Sequence, residues 1–66
     1  MNFEIEDIVV CAMFLQREFS DEILSYTAEE IVKICESIIV EYEPYMNSLD
    51  EYLESEETRK FIEKII

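Results

Sequence analysis

Glycine, histidine and tryptophan are absent from the 66 residues, proline occurs once, and only five residues carry positive charge. Without glycine no position takes a positive φ cheaply, so tight hairpins and phosphate-cradling loops lose their usual residue. Helices joined by short polar turns fit best. Without histidine, and with no Ser or Cys beside a plausible base, nucleophilic triads lack their parts, and P-loop chemistry lacks its Gly-rich loop. An EF-hand needs a central Gly in an Asp-rich loop and a di-iron bundle needs Glu-x-x-His, so neither metal centre is expected. Cys11 and Cys35 are the only cysteines, and two without His or a second pair do not make a zinc site. The carboxylate pairs Asp50/Glu54 and Glu54/Glu57 lie close on a helical face, but so short a chain has little volume for a pocket that would drive their pKa values apart. The expectation is a non-enzyme with no catalytic residue, no cofactor and no metal.

The shortage of cations is the sharpest deficit. Seventeen Asp and Glu against five Lys and Arg leave a net charge of -12, beyond the roughly 2 to 8 that keeps a small domain soluble. No stretch is basic enough to replace the counterions around phosphates, so direct nucleic-acid binding is disfavoured, and an anionic membrane surface with it. "FSDEILSYTAEEIVKICES", residues 19–37, has the outline of a helix-turn-helix, but its second helix sets Glu29, Glu30 and Glu36 against the single Lys33, and phosphates would repel it. A basic protein surface is the complementary partner. The N-terminal "MNFEIED" is acidic where a secretory signal needs positive charge, and the apolar run from Ile8 to Leu15 is too short to cross a bilayer. A cytoplasmic protein is expected, with Cys11 and Cys35 as small buried thiols and an interhelical disulfide as the alternative.

Half of the residues are apolar and a third are charged, a globular composition that predicts one helical domain over residues 1–66. A first helix is predicted from about Phe3 to Glu18, with Asn2 as cap. Ile5, Ile8, Ala12, Leu15 and Phe19 follow alternating intervals of three and four, and Val9, Val10, Met13 and Phe14 widen the apolar surface beyond one stripe. Such a helix needs cover on more than one side. "SDEILSY", from Ser20, reads as a short helix or turn. Thr27 and Glu30 form a capping box and open a second long helix, inward through Ala28, Ile31, Cys35, Ile38 and Tyr42, that Pro44 ends. Asn47 marks a turn, Ser48 and Glu51 form a second capping box, and Leu49, Tyr52 and Leu53 give the last long helix its inward face. "SEET", at Ser55, either restarts or continues that helix. The predicted fold is all-α: a small antiparallel bundle of three long helices plus one short helix, without strands.

"EYEPYMNSLDEYLESEE", residues 41–57, holds seven carboxylates and three tyrosines but no Lys or Arg. Asp50, Glu54 and Glu57 fall at i, i+4 and i+7, one helical stripe with about 6 Å of rise per four-residue step. That is the order of the spacing between phosphates on a strand, so the stripe could occupy a groove meant for nucleic acid. Glu41, Glu43, Glu51 and Glu56 extend the negative field, and Tyr45 and Tyr52 add contact area at low entropic cost. These nine residues are the candidate partner-binding set. Tyrosines at helical spacing more often complete a core, and Tyr42 reads that way.

In size, charge and helical content the chain resembles small phage-encoded inhibitors of nucleic-acid enzymes or of bacterial defence systems, including anti-CRISPR proteins and DNA mimics. "SYTAEEIVKIC", residues 25–35, is similar to the second part of helical nuclease-bacteriocin immunity proteins, with "EPYMNSLDEYL", residues 43–53, as a loose counterpart of their tyrosine-rich binding segment. Both resemblances imply an acidic inhibitor or antidote that blocks the basic nucleic-acid-binding surface of a target such as a nuclease. The competing expectation is an adaptor or assembly module that works through its apolar faces, including a homodimer.

Overall fold

Thr27 and Glu30 cap one another as their spacing predicts. The Thr27 amide donates to Glu30 Oε1 at 2.9 Å, and the Glu30 amide donates to Thr27 Oγ1 at 3.2 Å. The computed structural model describes residues 4–42 and 48–66, and these are helical with no strand. Four helices follow one another: α1 (Ile5–Glu18), α2 (Ala28–Tyr42), α3 (Leu49–Glu54) and α4 (Glu56–Ile65). The Asn2 cap, Phe3, Pro44 and Asn47 lie outside the described residues. Among those described, α1 starts after Glu4, whose side chain makes no capping bond.

At the two places the sequence leaves open, the structure departs from three long helices plus one short. Residues 20–25 are turns, not a short helix. Phe19 leaves helical geometry at φ -132 and ψ 33, and one i to i+4 bond, from the Ile23 amide to the Phe19 carbonyl (3.1 Å), is not continued. A single helical turn does not offset the cost of nucleation. Phe19 and Ile23 are nevertheless buried, and this pins the connection to the core. The third long helix is divided at Ser55, which is extended at φ -70 and ψ 152. Ser55 serves both neighbours. Its amide donates to the Tyr52 carbonyl (3.2 Å) as α3 ends, and its Oγ accepts from the Thr58 amide (3.3 Å) as α4 begins. Its hydroxyl also reaches the Tyr52 carbonyl at 2.8 Å and Thr58 Oγ1 at 2.7 Å. With one proton per hydroxyl, Ser55 donates to the carbonyl and Thr58 donates to Ser55.

The core takes residues from every helix. Leu15, Ile38, Leu53 and Ile62 are among the side chains wholly withdrawn from solvent, one from each of the four, and burying each contributes about 1.5 to 3 kcal/mol. α1 packs along α2, α3 lies against α1, and α4 meets α2 and α3. Cys11 and Cys35 face each other across the α1–α2 contact, both fully buried and both free thiols. Hydrogen bonding between the two thiols, with burial, pushes the Cys11 thiol above its ordinary range, and the same interaction lowers Cys35 against the opposing effect of burial. Among the described residues no backbone position has positive φ, as an all-helical chain without glycine requires.

α1 does not receive the cover its composition calls for. Cys11, Phe14 and Leu15 are buried, while Ile5, Val9 and Met13 stay exposed at 78%, 48% and 63%. Spaced four apart, these three lie along one side of the helix.

Candidate interaction surface

Each helix begins with two carboxylates: Glu6 and Asp7, Glu29 and Glu30, Asp50 and Glu51, and Glu56 and Glu57. Eight of the chain's seventeen acids therefore sit where free amides and the helix dipole favour negative charge, typically by 0.3 to 1 kcal/mol each. Asp50, Glu51, Glu56 and Glu57 belong to this group, so local structure accounts for part of the acidity between residues 41 and 57.

The break at Ser55 also rearranges the predicted stripe. Asp50 and Glu54 are on α3, whereas Glu57 is on α4 beyond an extended residue. The regular spacing of i, i+4 and i+7 along one helix is lost. Glu41 is exposed at the end of α2, as are Asp50, Glu51, Glu54, Glu56 and Glu57 around the α3–α4 corner. Tyr52 is not at the surface: it is buried, its hydroxyl donates to the Ile38 carbonyl at 3.1 Å, and its ring lies 5.1 Å from that of Tyr42. Its place is the core because the hydroxyl finds a main-chain partner there. Glu43 and Tyr45 lie outside the described residues.

Glu54 is engaged in a feature that spacing along the chain did not disclose. Arg17 pairs with Glu54 at 3.3 Å and with Glu18 at 3.0 Å; Arg59 pairs with Glu18 at 3.8 Å and with Glu63 at 3.7 Å. The result is a ladder of alternating charge across α3, α1 and α4, with Glu18 as its centre. Each guanidinium also lies over an aromatic ring, Arg17 at 5.5 Å from Phe14 and Arg59 at 5.2 Å from Phe19. The pairs are exposed, so each contributes about 0 to 1 kcal/mol. No described cation reaches ion-pairing distance of Glu41, Asp50, Glu51, Glu56 or Glu57.

Beside the ladder, α1 and α3 enclose a cleft of about 620 Å³ lined by Val10, Met13, Phe14, Arg17, Asp50, Leu53 and Glu54. Phe14 and Leu53 are its buried floor. Its described lining offers two carboxylates and a guanidinium around an apolar base. Among the described residues no group of three or more His, Cys, Asp or Glu is placed to hold a metal ion, and no helix is long and apolar enough to cross a membrane.

No protein-family model, curated protein or solved structure matches this chain. The surface itself carries the functional argument.

Proposed function

We propose that the protein is a small acidic inhibitor that binds a basic surface on a nucleic-acid-acting protein, such as a nuclease, and blocks it by charge and shape. The helices, packed as a small antiparallel bundle, are the rigid platform, and the site of action is the cytoplasm. One observation carries this reading. Glu41 at the end of α2 and Asp50, Glu51, Glu56 and Glu57 on α3 and α4 are exposed, and no described cation lies within ion-pairing distance of them, so their negative field faces solvent. Anti-defence proteins of phage, anti-CRISPR proteins and immunity-type antidotes are the classes of inhibitor this chemistry suits. Such binding is steered by charge and weakens with salt.

The test combines capture with competition. Immobilised protein is challenged with lysate from cells that make it, and bound proteins are eluted either with duplex DNA or with salt raised from about 50 to 500 mM, a range over which the Debye length shrinks severalfold. The expected partners are basic, leave with DNA, and are not retained by a Glu41→Lys, Asp50→Lys, Glu56→Lys, Glu57→Lys variant. Partners indifferent to DNA, salt and the four reversals would overturn the charge-mimic reading.

A second reading has its own support. Ile5, Val9 and Met13 leave an apolar strip on α1 uncovered, and this favours an adaptor or homodimer that works through apolar contact. Sedimentation across a concentration range tests it: the adaptor reading expects a dimer that Val9→Asp dissociates.

A further inference from the structure

Arg17 occupies a position that a ligand's arginine could take. Its guanidinium stacks 5.5 Å from the Phe14 ring and pairs with Glu54 at 3.3 Å, which is how a protein recognises an arginine side chain: a π-face beneath and a carboxylate beside. Both partners of the ion pair are largely exposed, 61% and 66%, and such a pair is weak enough to exchange. Displacement would not strand Arg17, because Glu18 holds it at 3.0 Å.

The neighbouring surface says what would come with that arginine. Met13 and Val10 stand at the cleft above Phe14 and Leu53, and the apolar strip continues along α1 through Val9 to Ile5. From Ile5 to Met13 is about 12 Å of helix axis, two turns of an approaching helix. Asp50 and Glu54 stand on the α3 side.

We propose that the α1–α3 cleft docks a basic amphipathic helix of a partner protein, with an apolar side chain between Met13 and Leu53 and an arginine replacing Arg17 on Phe14 and Glu54. The proposal rests on the reading that the chain binds a basic protein, and it names where and by what element. Charge complementarity selects this occupant over a second copy. Another molecule of this chain brings a net charge of -12 against the Asp50 and Glu54 side of the cleft, and like charges at close range oppose docking.

Two synthetic peptides of equal length and charge test it by fluorescence anisotropy: one carries leucine and arginine a turn apart on one helical face, the other has the same residues scrambled to opposite faces. The expected result is tighter binding of the amphipathic peptide and a loss of about tenfold with Met13→Asp, the scale of removing a central anchor. That loss would run against charge, since the variant is more acidic. Arg17→Ala is expected to tighten the amphipathic peptide several-fold by vacating Glu54, and Glu54→Gln to weaken it. A Glu56→Lys, Glu57→Lys variant should weaken both peptides alike. Circular dichroism checks that each variant folds; Met13 is exposed, so its replacement leaves the core intact. Equal binding of both peptides, unchanged by Met13→Asp but sensitive to salt, overturns the cleft and leaves the acidic reading standing. No binding of either peptide overturns the cleft, and partners that also ignore DNA and salt in the capture experiment overturn the acidic reading separately. A dimer that Met13→Asp dissociates, with no peptide effect, assigns the strip to a second copy and overturns the proposal.

Discussion

At Tyr52 a ring and a hydroxyl meet separate demands. The ring fills space beside Tyr42, while the hydroxyl satisfies the Ile38 carbonyl from fourteen residues away. Tyr52→Phe keeps the ring and leaves the buried carbonyl without this donor, so it should cost about 1 to 2 kcal/mol. Urea unfolding will read this as a lower midpoint at unchanged slope. An unaltered midpoint would mean that the Ile38 carbonyl does not need the phenol. The case shows what a one-dimensional pattern leaves open. Leu49, Tyr52 and Leu53 point inward by spacing, yet the same tyrosine sits in a run of acids and suits a binding surface equally well. What decides is a carbonyl on another helix, and no local spacing reports it. Arg17 and Arg59 teach the same lesson, since the ladder through Glu18 joins three helices.

Among the elements, the helix starts were the most legible part. Thr27 and Glu30 form the expected box, and of the expected Ser48–Glu51 box the half in which Ser48 Oγ accepts from the Glu51 amide is present, because a capping bond spans three residues and leaves its mark in the local sequence. The turns after Phe19 and the break at Ser55 were less legible. Both depend on tertiary contacts: Phe19 and Ile23 anchor one, and the packing of α3 and α4 on different neighbours bends the other. Ser55 is where this is testable. Ser55→Ala removes the α4 cap and the hydroxyl bridge to Thr58, and should cost about 1 kcal/mol. For a domain of this size that is a fall in melting temperature of about 4 to 8 °C. A change within error would show that the corner is held by packing and not by its serine.

Over the whole molecule, the net charge of -12 is a repulsion that the compact state bears and the unfolded chain relieves. Melting temperature is therefore expected to rise between about 10 and 300 mM sodium chloride, as the Debye length falls from about 30 Å to below 10 Å. The ion-pair ladder acts in the opposite sense, because screening weakens attraction too. A melting temperature that falls with salt would show that the ladder outweighs the repulsion. The size of the charge is read directly from composition; its division is not. Eight acids belong to helix starts and three to the ladder, and only the assembled helices separate these from acids that have no local reason. Similarly, hydropathy showed that α1 was too apolar for a single contact face, and the fold shows which side is left over.

The backbone of the described residues contains no position that only glycine would tolerate. Main-chain geometry therefore vetoes few substitutions there, and selection on the fold concentrates on the eleven buried apolar side chains among the described residues and the hydroxyls at the helix starts. Lineages descending from such a chain can exchange nearly all of their exterior while the interior spacing persists. Kinship to such a chain would be traced through intervals between core residues sooner than through shared identity.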